Sequence, residues 1–326
     1  MNSSHIAASA KGRPVVALCG GVGGAKLALG LQKVLGADLT VIVNTGDDFS
    51  HLGLRICPDI DTVVYTLSGL SDLERGWGRT GESWNFMHAL REAGGEDWFQ
   101  LGDRDLAMHI QRTHALHNKT PLSEFTSAIA KRLGISARIV PMTDDIVETT
   151  VLTSEGLLSF QRYFVGQQCR PVVKKIEFLN AAGARPSEAA IASLAHPDLE
   201  AVIICPSNPY LSVDPILAIP EYRKALARTA APIVAVSPLV GHKAVKGPTT
   251  KIMDELGIKI SSAAIARHYP FIAGLVIDES DRADAKEISI PIHIVPTLMK
   301  TLGDRERLAS ECLRFAEVIH SHRRVS

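Results

Sequence analysis

The chain has 326 residues, 46% of them hydrophobic and 21% charged, and its 35 basic residues are matched by 35 acidic ones. That composition is globular, and the even charge offers neither nucleic acid nor an anionic membrane a broad footprint, so any anion must be held locally. Five cysteines without C-x-x-C spacing argue for neither zinc nor a disulfide framework, and fit a reducing cytoplasm.

Residues 1–12 contain no apolar run of signal-peptide length, and nothing in the chain approaches the roughly 18 apolar residues of a membrane span. They read as a loose tail, with residues 13–326 forming one α/β domain. An apolar run, Val15 to Leu18, meets Gly20, Gly21, Gly23 and Gly24, and then a segment with Leu27, Leu31, Val34 and Leu35 on one face. The pattern is strand, phosphate turn, helix. A second run, Leu39 to Val43, empties into Asn44-Thr45-Gly46-Asp47-Asp48, and Pro58-Asp59-Ile60-Asp61-Thr62 opens a helix with acids where its dipole favours them. Gly69 to Gly81 is a polar, glycine-rich loop carrying Arg75, Trp77 and Arg79, of the kind that covers a site. Helices are predicted over 83–93, 101–112 and 122–133, the last with Thr120 as N-cap and Pro121 at its first position.

Between Arg138 and Phe178 the period turns strand-like, with VETTVLT, LLSFQRYFV and VVKKIEF, the first two separated by the hairpin signal Ser154-Glu155-Gly156. This predicts a β-rich insertion at about 138–180. Sheet strands then resume at Ala201 to Cys205, which leads into Pro206-Ser207-Asn208-Pro209, and at Pro232 to Ser237, which leads into PLVGHKAVKGPTTK. Two further apolar runs and an amphipathic helix from about Asp304 close the chain. The expected fold is a Rossmann-like, doubly wound, mostly parallel α/β sheet with an embedded β-rich and helical elaboration.

In such a sheet the loops leaving the carboxyl ends of the strands share one crevice. Amides bared by the glycines, with the first helical turn, present partial positive charge to a phosphate. Asp47, Asp48, Asp59 and Asp61 would repel that phosphate unless a cation stood between them. Mg²⁺, which takes a few carboxylates together with phosphate oxygens and water, is the expected cofactor, with Asp47, Asp48 and Asp61 as candidate ligands. Each motif alone has a plainer reading, as a tight turn or a helix cap. Lys26 breaks both the Walker pattern and G-x-G-x-x-G, which argues against a nicotinamide oxidoreductase. Ser207 and Asn208 lie in a rigid turn suited to a base or ribose. Lys243, Lys246 and Lys251 surround two glycines after a buried strand, as a phosphate clamp would or as a solvated lysine run would. His109 and His114 lie about 140° apart on a helix, so His109, His114 and His117 do not share a metal-binding face.

The motifs GGVGGAKL, NTGDD, GLRICPDIDTVVYTL, LGDRDLA, LSEFT, PMTDD, FQRYFV, PSNP and VSPLVGHKAVKGPTTK followed by LGI stand in one order from Val15 to the last helix. Together they resemble the 2-phospho-L-lactate transferase family of deazaflavin coenzyme F420 biosynthesis. The resemblance implies a transferase that joins a phospho-hydroxyacid from a guanosine diphospho-donor to the deazaflavin Fo, giving F420-0 or a variant and GMP. The acid is lactyl, enolpyruvyl or glyceryl in different members. On this likeness Asp61 contacts the attacking hydroxyl of Fo and Lys246 takes up developing charge. Gly20, Gly21, Gly23, Gly24, Lys26, Ser207, Asn208 and Lys251 meet the nucleotide and its phosphates. Two departures stand out: Gln100 occupies a position where a basic residue can precede LGDRD, which bears on acceptor binding, and His242 stands where glycine or asparagine is common. His242 and Cys57 are candidate determinants of donor choice.

A sugar-nucleotide-binding regulatory protein of related fold is the alternative; it would bind without turnover. The sequence leaves the hydroxyacid open, because pocket shape decides it. A homodimer is the default expectation for the assembly.

Overall fold

The computed structural model describes residues 12–325. Of the expected N-terminal tail only Gly12 is among them, its N–H donating to Asp38 at 2.8 Å, and the rest lies outside the described residues.

The strands in chain order are β1 (Val15–Cys19), β2 (Leu39–Val43), β3 (Phe49–His51), β4 (Leu54–Ile56), β5 (Arg138–Pro141), β6 (Glu148–Thr153) and β7 (Gly156–Ser159). They continue with β8 (Val173–Leu179), β9 (Ala201–Ile204), β10 (Ile233–Val236), β11 (Leu239–Val240), β12 (Lys243–Ala244), β13 (Gly274–Ile277) and β14 (Ile292–Ile294). Seven form the main sheet in the order β14-β13-β10-β9-β1-β2-β5, and every neighbouring pair is parallel. Strands buried on both faces must be apolar throughout, and β1, β2, β9 and β10 are buried at every residue. Along β1, Val15, Ala17 and Cys19 enter one core, while Val16 and Leu18 enter the other.

The chain builds outward from β1 to β2 and β5, then returns to β9 on the other side of β1. The strand order therefore reverses between β1 and β9, where the connections depart in opposite directions and leave a crevice at the carboxyl edge. Helix α1 (Gly21–Leu35) and helix α2 (Pro58–Leu67) begin at that edge. Helices α3 (Asn85–Glu92), α4 (Asp103–His117) and α5 (Leu122–Arg132) follow close to the predicted spans. At α5 the cap differs from the prediction: Pro121 is itself the N-cap, and Asp144 accepts from Ser123 N–H at 2.7 Å. The C-terminal helix, Leu302–Val325, packs along α1.

The insertion is smaller than expected. Arg138–Pro141 is the edge strand of the main sheet, paired with β2, so the separate antiparallel sheet β7-β6-β8 spans Glu148–Leu179. The predicted strand over LLSFQRYFV ends at Ser159, and Arg162–Gly166 winds into a single π-helical turn. That turn swings Phe160, Gln161, Phe164 and Val165 over the carboxyl edge of the main sheet, where they help to line the crevice.

Candidate functional site

A cavity of about 570 Å³ opens at the switch point, lined by the loops that leave β1, β2, β9, β10 and β14 together with α2, α4, the insertion and the 69–81 loop. Gly20, Gly21, Gly23, Lys26, Asp47, Asp61, Gln100, Ser207, Asn208 and Lys246, all predicted from sequence, line it. Gly76, Trp77 and Gly78 line it as well, so the glycine-rich loop lies over the site as expected.

The first turn of α1 is more committed than a bare phosphate cradle. Four amides at a helix N-terminus lack an intrahelical carbonyl. Here Gly20 N–H donates to Ser207 Oγ at 3.2 Å and Gly21 N–H to Asp59 Oδ1 at 2.7 Å. The amides of Val22 and Gly23, which line the cavity, remain for an anion. Gly21 sits at φ +64°, the left-handed region that favours glycine. Gly24 does not line the cavity; a Cβ there would lie 2.4 Å from Ser207 Oγ and 2.9 Å from Cys19 Sγ, so its role is close packing of helix on strand.

Ser207 is similarly occupied, its hydroxyl donating to Gly20 carbonyl at 2.8 Å and stitching β1 to β9 across the switch point. Asn208 Oδ1 caps the following turn through Tyr210 and Leu211 N–H, while its Nδ2 is buried without a partner. Lys26 donates to Met299 carbonyl at 3.2 Å, and its pKa is lowered by burial, then by Arg305 and Lys246 nearby. Lys246 reaches across the mouth to Gly76 carbonyl at 3.0 Å. The cations and the two remaining amides thus define one end of the cavity.

The acidic end is sorted by partner. Asp59, with 6% exposure, accepts from Gly21 N–H and from Asn44 Nδ2 at 3.0 Å, and burial pushes its pKa up to about 6 despite those bonds. Asp47 has a buried Oδ1 with no partner, and its pKa is raised well above the carboxylate range, first by burial and then by the charge of Asp59. No salt bridge reaches either among the described residues. Asp48 lies outside the cavity lining, 3.5 Å from Arg55, and burial raises its pKa to about 7. Asp61 lines the cavity but is gripped by both terminal nitrogens of the buried Arg112.

On α4, Asp105 accepts from Tyr65 Oη at 2.5 Å and lies 3.2 Å from His109 Nε2. Burial works against ionising Asp105, yet hydrogen bonding and charge from His109, with the Tyr65 bond, hold its pKa below the usual carboxylate value. Ligand atoms of Asp61, Asp105 and His109 lie within 4.8 Å of one another. A metal there would compete with Arg112, which already contacts Asp61 and lies 3.4 Å from His109 Nδ1.

Besides Gly24 and Asp48, three expected contacts stand away from the cavity. Lys251 bonds Glu255 and the carbonyl of Pro171 at 3.0 Å, because helix Thr249–Glu255 turns it toward the insertion. His242, at φ +56° in the two-residue turn between β11 and β12, is held by Asp284 at 3.0 Å; the turn takes the conformation glycine or asparagine prefers. Cys57 is buried beneath Asp48 at the N-cap of α2. Gln100 does line the cavity, its amide donating to Asp97 carbonyl at 2.8 Å.

Sequence reasoning passes over Arg112 and gives no site role to Tyr65, to Asp105 in LGDRDLA or to Asn44 in NTGDD. Asn44 binds the Asp59 carboxylate and the Leu211 carbonyl, joining the loops after β2 and β9. Its position as the first residue after β2 is the available signal.

The family described as 2-phospho-L-lactate transferase CofD matches residues 15–294. A phosphoenolpyruvate transferase of Streptomyces griseus is 37% identical over 318 residues, covering 94% of this chain and 99% of that protein. One of Mycobacterium tuberculosis is 40% identical over 312 residues, covering 87% and 93%. Among solved structures, a member of the UPF0052 family from Bacillus halodurans superposes with a TM-score of 0.58 at 15% identity, covering 92% of this chain and 98% of that one, which is a likeness of fold.

Proposed function

The chain belongs to the 2-phospho-L-lactate transferase CofD family, a family of phospholactate and phosphoenolpyruvate transferases, and from that premise we propose that it transfers an enolpyruvyl phosphate from a guanosine diphospho-donor to the deazaflavin Fo. The products are GMP and the enolpyruvyl form of F420-0. Enolpyruvyl is chosen over lactyl and glyceryl because relatives at 37% and 40% identity carry the name phosphoenolpyruvate transferase. The observation that carries the reading is the meeting in one cavity of helix amides and lysines with two buried carboxylates that have no cation.

In the reaction a hydroxyl of the acceptor attacks the phosphorus nearer the hydroxyacid. One O–P bond forms, the bridging O–P bond to GMP breaks with its electron pair staying on the GMP phosphate, and the proton of the hydroxyl passes to solvent. Such a displacement needs alignment and charge neutralisation more than covalent help. Val22 and Gly23 N–H, with Lys26 and Lys246, bind the donor's phosphates and meet the charge that grows on the departing GMP. Asp61 accepts a hydrogen bond from the attacking hydroxyl. Asn208 Nδ2, buried and unpartnered, is available to a guanine acceptor. Phe160 and Phe164, stacked with ring centroids 5.3 Å apart, offer an apolar wall for the acceptor's ring.

Asp47 and Asp59 fit a divalent cation, since the buried, partnerless Oδ1 of Asp47 and the mutual repulsion of the two acids are what such an ion relieves. Mg²⁺ bound there would neutralise the diphosphate. The fold likeness to UPF0052 at 15% identity gives the regulatory alternative no comparable support.

The test is incubation with Fo, Mg²⁺ and each of the enolpyruvyl, lactyl and glyceryl donors in turn, read by product mass and GMP release. Enolpyruvyl product in excess is expected. No product and no GMP from any donor would overturn the reading.

A further inference from the structure

Five side chains bind α2 to α4 in one buried network. Asp105, His109 and Arg112 follow one another at i, i+4 and i+7, so they form a single stripe on α4. Asp61 and Tyr65, also four apart, form the facing stripe on α2. Arg112 is 1% exposed. Its Nη1 donates to Asp61 Oδ2 at 3.1 Å and to Arg55 carbonyl at 3.3 Å, its Nη2 bonds Asp61 Oδ1, and its guanidinium lies 5.7 Å from the centroid of the Phe125 ring.

Arginine only donates and stays charged. His109 is set between the two, its Nδ1 3.4 Å from Arg112 Nη1 and its Nε2 3.2 Å from Asp105. The guanidinium thus fixes the orientation of two neighbours that line the cavity while standing outside the lining itself. It also cancels the charge of Asp61, whereas Asp47 and Asp59 have no cation against them. A divalent ion choosing among these acids is drawn to the uncompensated pair. Each Asp61 oxygen retains a second lone pair for a hydroxyl donor.

We propose that Arg112 is a positioning residue that reserves Asp61 for the acceptor hydroxyl and leaves the metal to Asp47 and Asp59. The proposal deepens the transferase reading and rests on it for the identity of the acceptor. Arg112 acts through Asp61 and touches neither substrate. Removing its fork frees Asp61 to rotate away from the hydroxyl, a loss that falls on the acceptor and spares the donor.

The experiment compares wild type with Arg112→Lys, Arg112→Met, Asp61→Asn and Asp47→Asn in two arms. In the first, Mn²⁺ alone is titrated and followed by its electron paramagnetic resonance signal. Asp47→Asn should weaken Mn²⁺ at least tenfold, while Arg112→Lys and Asp61→Asn stay within about twofold of wild type. In the second, steady-state kinetics with Fo and the enolpyruvyl donor should show kcat/KM for Fo falling at least 30-fold in Arg112→Met, with donor KM within about twofold. Arg112→Lys, which keeps the charge and is the variant relied on if Arg112→Met does not fold, should recover part of that loss. Mn²⁺ affinity lost equally in Asp61→Asn and Asp47→Asn overturns the proposal. So does an equal rise in donor and acceptor KM in Arg112→Lys, or acceptor kinetics unchanged from wild type. Wild type that yields no product sinks the transferase reading, and the Mn²⁺ arm then still decides how the carboxylates are divided.

Discussion

Replacing Asp47 by asparagine should make the metal-free protein more stable and the enzyme inactive. Asp59 has its pKa pushed from 3.8 to about 6 by burial, and Asp47 is raised in the same direction, first by burial and then by the charge of Asp59. For an acid whose folded pKa is raised, the native state holds its proton more tightly than the unfolded chain. Stability is then fullest below pH 4 and is lost as pH climbs through the folded value. A rise of about two units costs about 3 kcal/mol for Asp59 alone once it is ionised at pH 8. Asp47 is destabilising in the same sense, and its removal also lifts the repulsion on Asp59. Asp47→Asn should therefore raise the melting temperature at pH 8 in EDTA, each kcal/mol regained being worth about 2 °C for a chain of this size. At pH 5 the gain should shrink, because a buried acid with a raised pKa loses its penalty as pH falls. Adding Mg²⁺ at pH 8 should raise the melting temperature of wild type and leave the variant where it was. Differential scanning calorimetry at the two pH values, with EDTA or Mg²⁺, reads all four conditions. A variant less stable than wild type at pH 8 in EDTA, or one stabilised equally by Mg²⁺, would refute the reasoning.

Lys246→Met should weaken GDP binding at least tenfold by calorimetry and, by removing the bond to Gly76 carbonyl, raise the protease sensitivity of the 69–81 loop. Gly24→Ala should cost about 1–3 kcal/mol by overpacking, read as a lower urea midpoint, because the new methyl meets Ser207 Oγ and Cys19 Sγ well inside contact distance.

The parts of the site that follow strands are legible in the sequence. Val15 to Leu18 is an unbroken apolar run and Leu39 to Val43 is interrupted only by Thr40, and a run followed by glycines or acids marks the carboxyl edge of a parallel strand. That logic locates Gly20, Asp47 and Ser207, and the structure brings all three to one cavity. It does not distinguish Asp47 from Asp48, because one residue along the turn reverses which way a side chain points. Asp47 faces the cavity and Asp48 faces Arg55. The same sensitivity separates Lys246 from Lys251: the first sits in a loop at the mouth, the second on a helix that turns it to Glu255.

Arg112 is illegible for a different reason. Its partner Asp61 is 51 residues away, and a polar stripe of Asp105, His109 and Arg112 reads in isolation as an ordinary solvated helix face. Only the packing of α4 against α2 reveals that the stripe is buried. Rejecting a metal on His109, His114 and His117 is sound as helix geometry, yet it directs attention away from His109, whose neighbours are carboxylates on α2 and on its own helix.

The distribution of charge in the cavity bears on how a donor enters it. Asp59 occupies the Gly21 amide, so the strongest anion position at the mouth of α1 is filled by the protein's own carboxylate. A nucleotide diphosphate arriving alone would set its oxygens beside Asp47 and Asp59 with only two helix amides and the lysines in compensation. With a divalent ion the same acids become ligands, and repulsion turns into attraction. On the transferase reading, the buried carboxylates therefore work as a filter that admits nucleotide and cation together. The stability that burying these acids costs is recovered, on that reading, when the metal-bound donor binds, which is why the same residue, Asp47, is expected to destabilise the empty protein and to be indispensable to the loaded one.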